Sequence, residues 1–184
     1  MPYVGVTFLR GDARSLLDRV IMRSTAGPYV HTELFLQRGD DFRYYCAVNV
    51  TPSGGLQPSG RTCGPPDPAF WDVVRFPISP AAYASTYALI LQLLSMQLPY
   101  NARDLWQCCV PALLPYERDL DCQRLETWRA SGVFCSQLCL LVLRRLVLAG
   151  TVALPPRAAA GVLGTNSRGC SPNALRRLLL PPAG

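Results

Sequence analysis

A thiol and an imidazole are the groups from which this chain can build a nucleophile. Cys135 stands in Gly132-Val133-Phe134-Cys135-Ser136-Gln137-Leu138-Cys139, at the expected start of a strongly apolar helix. The only histidine of the 184 residues, His31, stands in the strand-like run Tyr29-Val30-His31-Thr32-Glu33-Leu34-Phe35-Leu36. A helix N-terminus favours the thiolate electrostatically, and an imidazole can take the proton. With one histidine in the chain, a Cys-His pair has its base already identified. Cys139, one turn further on, is expected in the core, and the remaining cysteines are read as structural or incidental.

The third group depends on strand register. Alternation puts His31, Glu33 and Phe35 on one face and Val30, Leu34 and Leu36 on the other. Arg38-Gly39-Asp40-Asp41 signals a hairpin turn, with Phe42 to Val50 as the return strand. A two-residue turn sets His31 opposite Val48; a three-residue turn sets it opposite Asn49. The apolar pattern favours the three-residue turn, which groups Val30, Leu34 and Leu36 with Tyr44, Cys46 and Val48. On that register Asn49 orients the imidazole through its side-chain carbonyl, as a third catalytic group does. Glu33 is the rival orienter, two residues away on the same strand.

The elements that must hold these residues follow from periodicity and punctuation. Tyr3 to Leu9 reads as a strand. Asp12 is a candidate N-cap for a helix over Ala13 to Arg23, with Leu16, Leu17, Val20 and Ile21 at helical spacing. Thr51 to Ala69, rich in Gly, Pro and Ser, reads as a long loop at the rim of a cleft. Trp71 to Phe76 is a short strand. Ser79-Pro80 opens a helix to about Leu98, and Ala102 to Cys109 a short one. A Pro-punctuated connection leads to Ser131, the apolar helix spans Cys135 to Ala149, and Ser171-Pro172 opens a last helix over Asn173 to Leu180. No internal repeat or domain boundary is visible, so a single α+β domain is expected over 1–184.

Composition narrows the function classes. The apolar fraction is 49% and the net charge +6. All 18 basic residues are Arg, which fits a GC-rich coding sequence. The only adjacent arginine pairs, Arg144-Arg145 and Arg176-Arg177, lie in helical patterns where a solvated stripe is expected. No basic patch interleaved with aromatics appears, so no nucleic-acid partner is expected. Neither apolar run, Ala81 to Leu98 nor the one after Phe134, is long and apolar enough to span a bilayer. The first thirty residues lack a secretory pattern, so a reducing, cytoplasmic setting with free thiols is expected for the eight cysteines. No CxxC pair exists, and the one histidine leaves little material for a structural zinc site.

In order, these segments resemble the permuted branch of the NlpC/P60 superfamily of papain-like folds, which holds YiiX-like, lecithin:retinol acyltransferase-like and viral members. Phe8-Leu9-Arg10-Gly11-Asp12, the histidine strand, Ser53-Gly54-Gly55-Leu56 and Trp71-Asp72-Val73-Val74 look like its first half. Pro99-Tyr100-Asn101, Phe134-Cys135-Ser136-Gln137-Leu138 and Ser171-Pro172-Asn173-Ala174-Leu175 look like its turn, nucleophile and closing motifs. Gln137 stands where the family usually has Glu. The likeness is strongest to members from large DNA viruses.

The resemblance implies a small antiparallel sheet packed against helices and a Cys135-His31 thiol hydrolase assisted by Asn49 or Glu33. It implies an amide or isopeptide substrate, a thioester intermediate, and no metal or organic cofactor. Tyr100 or Tyr29 would supply a second oxyanion contact. The rival expectations are a lipid-directed thiol acyltransferase or phospholipase, taking a lipid-like substrate, and a catalytically silent virion or host-interaction protein. The setting implied is the host cytoplasm or the virion. Oligomeric state is not legible.

Overall fold

A computed structural model describes residues 1–48, 55–59, 64–109 and 119–180. Among these, five strands form one antiparallel sheet accompanied by seven α-helices. The strands are β1 (Pro2–Arg10), β2 (Tyr29–Arg38), β3 (Asp41–Val48), β4 (Gly55–Pro58) and β5 (Trp71–Pro77), in the order β4-β3-β2-β1-β5. The helices are α1 (Leu16–Ser24), α2 (Pro80–Ser95), α3 (Ala102–Cys109), α4 (Leu125–Ser131), α5 (Cys135–Leu148), α6 (Pro156–Gly164) and α7 (Pro172–Leu179).

Period-2 patterning decides which sheet face is covered. Val4, Val6 and Phe8 of β1, Leu34 and Leu36 of β2, Tyr45 and Ala47 of β3, and Val74 and Phe76 of β5 form one buried cluster with Ile90 and Leu93 of α2 and with α5. Helix α5 is buried over every residue from Cys135 to Arg144, the pattern of a central helix rather than a surface one. Phe35, Phe42 and Tyr44 form a second, smaller cluster.

Several sequence expectations are corrected. Part of the expected 51–69 loop is strand β4, and helices α4 and α6 lie where no helix was expected. Both are short, with few apolar positions to reveal a period. Helix α1 starts later than expected, capped by Ser15, whose hydroxyl accepts from the Asp18 N–H at 3.2 Å. Asp12 instead takes the Arg14 N–H at 2.8 Å, a local turn that competes with helix. Ser79 and Ser171 cap α2 and α7 as expected, each accepting a backbone N–H three residues on at 3.1 Å.

Arg144 is not on a solvated stripe. It is 7% exposed, and its guanidinium donates to the Val162 carbonyl at 3.0 Å and to Asp119 at 2.9 Å, with a further bond to the Thr165 carbonyl. Asp119 also accepts from the Ser167 N–H and hydroxyl. Spending several donors on fixed acceptors is what makes a buried guanidinium tolerable. It also ties the far half of α5 to α6 and to the segment that follows it.

The hairpin register is the two-residue one. Arg38 pairs with Asp41, and the ladder continues through Phe35–Tyr44 to Leu34–Tyr45. Gly39 at φ +61° sits in the turn, where a left-handed residue matches the twist of the strands. The expected three-residue register fails because both faces of the hairpin bury apolar side chains. Phe35, Phe42 and Tyr44 fill one side while Leu34, Leu36, Tyr45 and Ala47 fill the other, so the apolar pattern carried no single direction.

Candidate active site

A side-chain clamp and a bulge set the histidine strand. Asn173, at the start of α7, accepts the Tyr29 N–H at 3.0 Å and donates to the Tyr29 carbonyl at 2.8 Å and the Thr25 hydroxyl at 2.6 Å. The entry to β2 is thereby pinned by a side chain far away in sequence. Gly27 admits it: a Cβ there would lie 2.2 Å from the Asn173 Oδ1. Just after the clamp, Leu9 pairs with His31 but Arg10 with Tyr29, so Val30 is a bulged residue immediately before His31. Bulges re-aim the side chains beside them.

Other contacts set the nucleophile segment. Val133 and Tyr100 form a parallel bridge: the Val133 N–H donates to the Pro99 carbonyl at 3.0 Å, and the Asn101 N–H to the Val133 carbonyl at 3.1 Å. Gly132 precedes the bridge at φ +73°, and a Cβ on it would stand 2.7 Å from the Pro99 carbonyl oxygen. Gln137 closes the first turn of α5. Its Oε1 accepts the Phe134 N–H at 3.3 Å, and its Nε2 donates to Asp104 Oδ2 at 3.2 Å. Asp104 is paired with Arg168 at 2.9 Å, both nearly fully buried. Ser136 donates to the Cys170 carbonyl at 2.6 Å.

These supports bring Cys135 and His31 together. The two side chains lie close enough that each shifts the other's titration, with Cys135 at the first position of α5. Burial alone would raise the Cys135 thiol, but the charge and hydrogen bond of His31 outweigh it. Hydrogen bonds from the Thr32 N–H and hydroxyl add to this, and the thiol is lowered. Burial alone would lower His31, but the Cys135 sulfur, a hydrogen bond with Cys46 and the charge of Glu33 lift it to about 10. The favoured state is a thiolate–imidazolium pair. Cys108, Cys139 and Cys170 behave oppositely, raised by burial, the last to about 12. Cys139 is fully buried as expected, 3.7 Å from the Thr32 hydroxyl.

Glu33 is the described orienter candidate. Its Oε1 lies 3.9 Å from His31 Nε2, too far for a direct hydrogen bond but close enough to favour the imidazolium. The Ser59 hydroxyl donates to the same oxygen at 3.0 Å. Asn49 lies outside the described residues, and the register that made it face His31 is not the one formed. Tyr100 packs beside Cys135, and burial raises its phenol, as does the thiolate's charge. Tyr29 is turned to Asp72, to which its hydroxyl donates, so of the two tyrosines it is Tyr100 that adjoins the thiol.

Sequence reasoning missed Thr32 and Cys46. Thr32 is the neighbour of His31 on the opposite strand face, the side on which α5 packs. Cys46 was read as incidental because the wrong register turned it away. Continuing the observed ladder one step sets Cys46 across from Glu33, on the face of His31. One ligating atom from each of His31, Glu33 and Cys46 lies within 4.8 Å of the other two.

No helix among the described residues is long and apolar enough to cross a membrane. No family model, no curated protein and no solved structure matches this chain.

Proposed function

We propose that the protein is a thiol hydrolase on a permuted NlpC/P60-like, papain-type fold, cleaving an amide or isopeptide bond through a thioester. The observation that carries this reading is that His31 lies beside Cys135, which opens a buried helix, and that each shifts the other toward its charged form. The chain order of histidine strand before cysteine helix, within an antiparallel sheet, supports the permuted fold.

In this mechanism the Cys135 thiolate attacks the carbonyl carbon and the carbonyl electrons move to oxygen. The Cys135 N–H, at the first helical position, has no intrahelical acceptor and donates to that oxyanion. His31 delivers its proton to the leaving nitrogen as the C–N bond breaks, leaving a thioester and a free amine. His31, now neutral, takes a proton from water, whose oxygen attacks the thioester. The thiolate leaves, and the acid is released. Glu33 acts as a positioning residue, holding positive charge on the ring. Thr32 holds the thiolate before attack.

The test is labelling with a broad electrophilic thiol probe across pH, followed by peptide mapping. The reading expects labelling at Cys135 that persists below the ordinary thiol range and collapses in His31→Ala. Equal labelling of many cysteines, indifferent to His31→Ala, overturns it.

A further inference from the structure

We infer that His31, Glu33 and Cys46 form a binding site for a zinc-like divalent cation. The three residues offer an imidazole nitrogen, a carboxylate oxygen and a thiol sulfur, the ligand types that zinc takes. One such atom from each lies within 4.8 Å of the other two. A tetrahedral zinc with bonds of about 2.0–2.3 Å separates its ligands by about 3.4 Å, so the residues close on the ion through side-chain adjustments of about 1 Å.

The backbone explains why they converge. His31 and Glu33 are two apart on β2 and share a face. The two-residue hairpin brings Cys46 of β3 across from Glu33. The ligands thus sit on two neighbouring strands, which is a stiff frame for a metal. Glu33 and Cys46 are 5% and 7% exposed, while the His31 side chain keeps 27% of its surface open. An ion therefore has an entry path past His31 and a largely dry seat beyond it. The Ser59 hydroxyl, 3.0 Å from Glu33 Oε1, is placed to orient the carboxylate as an outer-shell partner. Three protein ligands leave one position for water or a substrate atom.

Binding replaces the Cys46 S–H bond with a metal–sulfur bond and one N–H bond of the His31 imidazolium with a metal–nitrogen bond, and both protons pass to solvent. If the hydrolase reading holds, and this consequence alone rests on it, a bound cation silences the base, so the site is inhibitory rather than catalytic.

The experiment is titration of the full-length reduced protein with cobalt(II), and separately with zinc(II) against a chromogenic chelator. The expected result is one equivalent of cobalt giving the near-ultraviolet thiolate-to-cobalt charge-transfer band. The band is lost in Cys46→Ser and retained in Cys135→Ala. Glu33→Gln keeps the band but weakens zinc affinity about tenfold or more, in the range of lost ligand support. Circular dichroism of each variant separates loss of a ligand from loss of fold, and Glu33→Gln, which keeps every thiol, gives a second, gentler reading. Absence of the band in wild type, its persistence in Cys46→Ser, or its loss in Cys135→Ala overturns the site. Thiol labelling of Cys135 in chelator is independent of all these outcomes, so the hydrolase reading stands or falls separately.

Discussion

Gln137 donates its side-chain amide to Asp104 across 3.2 Å while its oxygen accepts the Phe134 backbone N–H at 3.3 Å. Only an amide can do both, because a carboxylate has no donor to offer Asp104. This accounts for an amide rather than a carboxylate at position 137. We predict that Gln137→Glu destabilises the protein by about 1–3 kcal/mol, since it sets two buried carboxylates against the single Arg168 guanidinium. The new carboxyl has its folded-state pKa raised, so the folded chain binds more protons than the unfolded one. The deficit relative to wild type is therefore smallest in acid and grows as pH rises through that raised pKa. Urea denaturation across pH reads it, and a deficit independent of pH sinks the explanation.

The Arg168-Asp104 pair should be expensive to break. Both side chains are almost fully buried, at 7% and 1% exposure, so solvent offers little screening. Arg168→Met is expected to cost about 3–5 kcal/mol, because it strands the Asp104 carboxylate. The double variant with Asp104→Leu should recover a good part of that loss. Thermal or urea melts of both variants decide the matter; a double variant no better than the single one contradicts it.

For the thiol, the sign of the pH dependence follows from the paired shifts. Cys135 is lowered and His31 is raised to about 10, so the thiolate forms at lower pH than an ordinary thiol and does so beside a charged imidazolium. Labelling of Cys135 should hold to lower pH than that of an ordinary thiol. His31→Ala leaves burial opposed only by Thr32, which raises the thiol, and should slow labelling near pH 7 by about 10²-fold. Its rate should then climb with pH. A His31→Ala profile that coincides with wild type counts against the ion pair.

Glu33 is expected to act through His31. Glu33→Gln removes a negative charge beside the ring, so the imidazolium titrates at lower pH. Hydrolysis, once a substrate is in hand, should fall about tenfold to 10²-fold, with the alkaline limb of kcat moved toward acid. A purely structural Glu33 would lower yield or melting temperature without moving that limb.

Asn173 offers a test of the scaffold. Asn173→Ala leaves the Tyr29 N–H and carbonyl without their side-chain partner and should cost about 1–3 kcal/mol. Because β2 carries His31 two residues later, Cys135 labelling should also shift toward alkaline pH. Unchanged melting and labelling in this variant would show that the clamp is dispensable.

Much of the site could be read from local rules. A lone histidine in a strand, a cysteine opening an apolar helix, and Ser-Pro caps on α2 and α7 each follow from a few neighbouring residues. Short-range sterics and capping are encoded within a turn or two of chain, so these features survive without knowledge of the partner elements. Alternation also put His31 with Glu33 and away from Leu34. Other parts were settled across long sequence separations. Whether Cys46 or another residue faces His31 hung on one residue of hairpin register, and the hairpin is apolar on both sides, so pattern alone did not choose. Arg144 looks like a surface arginine until Asp119, Val162 and Thr165 are brought around it. Thr32 looks like filler until α5 delivers Cys135 to its hydroxyl and N–H. In each case the energy lies in desolvated contacts between elements far apart in the chain. Burial and partner choice are properties of the packed fold, whereas the elements themselves are written locally in the residues.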